Sequence, residues 1–181
     1  MAGVLNHAHF LALLIEQCEV GGGLASFHHD CGSLDRSRNL LMGRSVTFDH
    51  TADLGLRIYA TDLADLFRTA AEALFDVIVT HRDQVEPLES EQFHLAADST
   101  DALLLDWLNE LIFRSETGHL VFGRFDVSVD PDGRSLTARV HGESIDPQRH
   151  GLDHEVKAAT HHGVQLVHDQ DGWMAEVILD I

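Results

Sequence analysis

Residues 54–78, LGLRIYATDLADLFRTAAEALFDVI, change their hydrophobic period midway, and that change decides the fold class. Leu54, Leu56, Ile58 and Ala60 recur at every second position, as on a strand with one buried face. From Leu63 the spacing turns helical: Leu63, Leu66, Phe67, Ala70, Ala71, Leu74, Phe75 and Ile78 share one stripe, behind Thr61 and Asp62 as N-cap residues. A strand running directly into an amphipathic helix predicts helix packed on sheet.

The same two periods repeat outward from this stretch. A second helix is predicted after Ser99, with Leu103, Leu104, Trp107, Leu108, Leu111 and Ile112 on its dry side and Asp106, Glu110 and Arg114 opposite. Phe93, Leu95 and Ala97 alternate between the helices. Val121, Phe125, Val127 and Val129 share one parity, the turn Asp130-Pro131-Asp132-Gly133 follows, and Leu136, Ala138 and Val140 return as a hairpin. Val156 to Thr160 and Val164 to His168 lead to a turn at Asp169 to Gly172, after which Trp173, Ala175, Val177, Leu179 and Ile181 alternate to the last residue. The expectation is an α+β domain: two amphipathic helices packed on a largely antiparallel β-sheet of six or seven strands.

Composition limits the function. The 181 residues hold 12 Lys+Arg against 30 Asp+Glu, a net charge of -18, so the surface repels phosphate backbones and no direct nucleic-acid binding is expected. No apolar run approaches the roughly 18 residues of a membrane span. The run Phe10 to Ile15 has no Lys or Arg before it, unlike a secretory signal, so a cytoplasmic protein is expected. Residues 1–41 hold both cysteines, Cys18 and Cys31, and the run Gly21-Gly22-Gly23, and are expected to be a flexible extension or a mis-called start. Residues 42–181 are expected to form the domain, and the acidity belongs to them.

Familiar catalytic signatures are absent from the sequence: no GxSxG elbow, Walker loop, GxGxxG after a strand, or HExxH. The acidic turns at 130–133 and 169–172 lack the closing Glu of a calcium loop and are read as turns. His28-His29 beside Asp30-Cys31 and the pair His161-His162 are adjacent residues, which on an extended chain point opposite ways. Two segments stand out. In Asp49-His50-Thr51-Ala52-Asp53, two acids and a histidine crowd the entry to a strand; at Asp180-Ile181, a side-chain carboxylate and the α-carboxylate lie one residue apart, behind the apolar anchor Val177-Ile178-Leu179. If Asp53 lay alongside, three negative groups would converge, and a hard divalent cation with oxygen ligands would relieve them.

Four blocks, Phe48-Asp49-His50-Thr51-Ala52-Asp53-Leu54-Gly55, Leu105-Asp106-Trp107-Leu108-Asn109-Glu110-Leu111, Val156-Lys157-Ala158-Ala159-Thr160-His161-His162-Gly163 and Ala175-Glu176-Val177-Ile178-Leu179-Asp180-Ile181, resemble the archease family in its order. His161 stands where the family commonly shows an aromatic residue. The resemblance implies an accessory protein with no catalytic residues of its own, which assists an RtcB-type RNA ligase in tRNA splicing or RNA repair by promoting ligase guanylylation and turnover. It also implies a metal site at Asp53, Asp180 and the terminal carboxylate of Ile181, taking calcium, with magnesium or manganese as alternatives. Lys157 matches a basic position tied to activity, and Asp49 and His50 are expected as orienting groups or local turn acceptors. The rival expectations are a chaperone or modulator of another RNA-modifying enzyme, such as an RNA methyltransferase, and a small metal-dependent hydrolase with His50 as base.

Overall fold

The helical stripe of residues 63–78 becomes helix α1 (Leu63–Ile78), whose N-cap Asp62 accepts a hydrogen bond from the Asp65 amide at 2.8 Å. In this computed structural model residues 43–50 and 53–181 are described; the expected extension 1–41, with His28-His29-Asp30-Cys31, and Thr51-Ala52 lie outside the described residues. Helix α2 (Thr100–Gly118) starts at its N-cap Ser99 and stops at His119, whose left-handed φ of 51° ends the helical hydrogen bonding. Trp107 of α2 is fully buried, donates its indole N–H to the Phe67 carbonyl at 3.1 Å, and meets Phe93 edge-on at 5.4 Å. These contacts fix the rotation of α2 against α1.

The strands form two antiparallel sheets. One holds β1 (Arg44–His50), β2 (Asp53–Ala60), β7 (Gly172–Asp180) and β6 (Ala158–Asp169) in the order β1-β2-β7-β6; the other holds β3 (Glu89–Ala96), β5 (Ser135–Ser144) and β4 (Leu120–Val129) in the order β3-β5-β4. The last strand is therefore an interior one. Leu56 and Ile58 of β2, Ala175, Val177 and Leu179 of β7, and Leu136, Ala138 and Val140 of β5 are buried with the helical stripes in one core. Each large apolar side chain so buried contributes about 1.5–3 kcal/mol. No helix among the described residues is long and apolar enough to cross a membrane.

Three features depart from the sequence expectation. Strand β1 was not anticipated, because it is mostly exposed and shows no alternating burial. The runs Val156 to Thr160 and Val164 to His168, read as two strands, fall in the single strand β6 from Ala158 on, with a wide irregularity: Thr160 faces Ile178, the next pair is Gln165 with Glu176, and Gly163 takes φ 71° between them. A one-turn helix α3 (Pro147–His150) lies between β5 and β6.

That turn carries a buried polar network. Glu143 accepts from the Glu86 amide at 2.6 Å, pairs with Arg149, and lies 3.3 Å from Nε2 of His150, which is itself completely buried. His150 Nδ1 accepts the Asp146 amide at 3.0 Å, so the imidazole proton sits on Nε2 and points to Glu143. The bond from Arg149, joined by the Glu86 amide and His150, holds the Glu143 carboxyl below its ordinary range. A depressed carboxylate stabilises the fold fully above the unfolded glutamate value and loses that contribution as pH falls through the folded value. Urea unfolding from neutral to acid pH should show a loss of stability that is smaller in Glu143→Gln than in the unsubstituted chain.

Candidate functional site

Register builds the site. His50 faces Asp53 across β1 and β2, and Leu54 faces Leu179 across β2 and β7, so one step further Asp53 stands opposite Asp180, which in turn faces Ala158 of β6. Residues directly opposite in an antiparallel sheet share a face. Since Leu56, Ile58, Val177 and Leu179 point into the core, the row His50, Asp53, Asp180 lies on the face turned away from the helices. The structure thus brings together the two acids whose meeting sequence spacing left open. Asp49 pairs with Leu54 and belongs to the opposite face, outside the row.

Lys157 closes the far end. Its amide donates to the Asp180 carbonyl at 2.8 Å, and its Nζ lies 3.0 Å from the Ile181 main-chain oxygen and 3.7 Å from Asp180 Oδ1. Both side chains are about half exposed, so this ion pair contributes at most about 1 kcal/mol. Its consequence is placement: one ammonium sits on the oxygen-rich end of β7. At the other end, His50 Nδ1 is 4.0 Å from Asp53 Oδ2, is buried, and has no hydrogen-bond partner among the described residues. The His162 ring, carried in by the irregularity in β6, lies 6.1 Å from that of His50. His161 lies instead near Asp101, whose carboxyl is lowered chiefly by the Ser99 hydroxyl and further by the His161 charge. The adjacent histidines do part company.

Beneath the row, the Phe48 ring lies across Gly55: a Cβ there would come within 2.2 Å of it. Arg57 stacks over the same ring at 5.2 Å and binds Glu176 at 2.5 Å, a bond that raises the Arg57 pKa. An aromatic lid and an ion pair therefore brace β1, β2 and β7 next to the acids.

The donor chemistry fits a hard cation. Asp53, Asp180 and the Ile181 main-chain oxygen offer only oxygen ligands, and the two carboxylates carry more negative charge than Lys157 neutralises. Among the described residues, no three His, Cys, Asp or Glu side chains gather as a metal cluster by themselves. A cation in the row would draw on the Ile181 oxygens and on water besides the two aspartates.

Sequence reasoning did not single out Asn109 for a role. Its side chain on α2 donates to the Ala159 carbonyl at 2.9 Å and accepts the Ala159 amide at 2.9 Å. Its signals were an amide next to the Trp107-Leu108 stripe and a place in the second archease-like block. A separate open cleft of about 460 Å³ is lined by Asp76, Arg82, Arg124 and His141 among others. Its cations are already engaged, Arg82 by Asp76, and Arg124 and His141 by Asp126.

Residues 46–181 match the archease protein family (MTH1598/TM1083). The chain is 37% identical over 143 residues to the protein archease of Pyrococcus abyssi, covering 77% of this chain and 100% of that one. It is 39% identical over 137 residues to that of Methanothermobacter thermautotrophicus, covering 74% and 96%. The solution structure of protein 1598 from Methanobacterium thermoautotrophicum superposes with a TM-score of 0.62 at 34% identity, over 76% of this chain and 98% of that one. A Thermotoga maritima crystal structure, described as an archease and possible chaperone, shares the fold with a TM-score of 0.54 at 20% identity, over 74% and 94%.

Gly55→Ala should destabilise the protein by about 1–3 kcal/mol, the cost of forcing a methyl group against the Phe48 ring. Urea unfolding measures it, and Phe48→Leu in the same background should recover part of the loss.

Proposed function

The chain belongs to the archease family, and from that premise we propose that it is an accessory activator of an RtcB-type RNA ligase in tRNA splicing or RNA repair, acting through a cation held at its carboxylate row. The observation that carries this proposal is the register that sets Asp53 opposite Asp180, beside Lys157. Asp53, Asp180 and the Ile181 carboxylate hold a divalent ion, with calcium the first choice and magnesium or manganese as alternatives. When bound, the ion offsets negative charge on the phosphate attacked during ligase guanylylation. Lys157 orients the Ile181 oxygens and presents its ammonium to a phosphate or to an acid of the ligase. His50 steadies Asp53 from the neighbouring strand.

The acidity supports a protein partner over RNA. A net charge of -18 disfavours an RNA backbone but complements the basic, phosphate-binding surface of a ligase. Such a helper works in the cytoplasm and performs no chemistry by itself. A second possibility, a chaperone or modulator of another RNA-modifying enzyme such as an RNA methyltransferase, is favoured by the description of the Thermotoga relative as a possible chaperone.

Ligase guanylylation measured with and without this protein separates the two. The activator account predicts stimulation that Asp53→Ala abolishes, that declines as salt rises, and that is lost when residues are appended after Ile181 but kept when a tag is placed before Met1. Stimulation that survives Asp53→Ala would favour the chaperone.

A further inference from the structure

We propose that Asn109, on α2, is a positioning residue for the carboxylate row: its amide clamps strand β6 at Ala159 and so fixes Lys157 on one side and His162 on the other. This inference rests on the cation site proposed above.

Among the described residues strand β6 is an edge of its sheet, with β7 on one side and no strand on the other. Edge backbone groups need partners from elsewhere or from water. At Ala159, Asn109 supplies both, donating to the carbonyl and accepting from the amide at 2.9 Å each, which is the pair of bonds a neighbouring strand would exchange. The position is the informative part. Ala159 is buried and faces Leu179, Ala158 before it faces Asp180, and Lys157 lies one residue earlier. One residue later, after Thr160, regular pairing breaks for the segment that carries His162 toward His50.

A bulge disrupts the ladder and bends its strand, so the pairing of residues 158–160 with β7 is reinforced by an anchor beside it. The anchor is itself rigid, because Asn109 sits two residues beyond Trp107, whose ring is fully buried and bonded to Phe67. Core packing thereby reaches the outer face of the sheet through one amide.

Two hydrogen bonds could equally serve stability alone, and the experiment must separate the roles. Ser115→Ala is the control: Ser115 lies on the same helix, is buried, and donates to the Leu120 carbonyl at 2.6 Å, away from the row. Manganese is titrated by calorimetry into the full chain and into Asn109→Ala, Asn109→Asp and Ser115→Ala, well below their unfolding temperatures, with amide exchange at Ala159 followed in parallel. Both Asn109 variants should bind manganese about tenfold more weakly, as substitutions behind metal ligands do, and should speed Ala159 exchange. Ser115→Ala should lose stability but keep the full-chain affinity. Unchanged affinity in Asn109→Ala, or an equal loss in Ser115→Ala, overturns the positioning role and leaves the cation site standing. An unsubstituted chain that takes up no manganese overturns the cation site, and this proposal with it.

Discussion

The pairing of β2 with β7, from Leu54 against Leu179 to Ala60 against Trp173, is the interaction on which the site depends. It joins residues near the start of the domain to the last ones in the chain, and it places the final strand inside the sheet, not at its edge. The hydrophobic effect fixes this pairing more firmly than hydrogen bonding does. Leu56, Ile58, Ala175, Val177 and Leu179 all face the core, and a slip of one residue would turn each of them to solvent. Asp53 and Asp180 meet because their apolar neighbours admit only one alignment.

The meeting itself is unfavourable. Like charges directly opposite on a sheet destabilise it, and the protein is already strongly acidic. Lys157 offsets part of the repulsion through Asp180 and the Ile181 oxygen, but among the described residues Asp53 gains no comparable partner beyond a histidine nitrogen 4.0 Å away. Local rules broken in one place, in a chain that obeys them elsewhere, point to function. Partly buried braces surround the acids: Phe48 over Gly55, Arg57 with Glu176, and Asn109 on Ala159. Rigid support beneath an exposed, under-neutralised row is what a cation or a positively charged partner surface requires.

Much of this architecture was legible because burial leaves a period in the chain. Helices α1 and α2, the β4–β5 hairpin and the last strand all bury one face, and each was read from residues such as Leu66, Leu108, Val140 and Val177. Strand β1 escaped because its face has little to bury; only Val46-Thr47-Phe48 hinted at extended chain. The irregularity in β6 made one strand look like two. Asp53 and Asp180 were recognised as candidates by type and by resemblance, whereas their placement on neighbouring strands needed register, which no spacing over so long a separation specifies. Asp49 looked equivalent to its neighbours yet belongs to the other face, and Asn109 gave no sign of its hold on β6 because its partners are backbone groups with no sequence signature.

In the function proposed above, the end of β7 and the start of β2 together seat a divalent cation. Crystals of the full chain grown with manganese and measured for anomalous scattering test it most directly. The account predicts one strong peak bounded by Asp53, Asp180 and the Ile181 oxygens, beside Lys157. A peak elsewhere, or none at the row under saturating manganese, would contradict it.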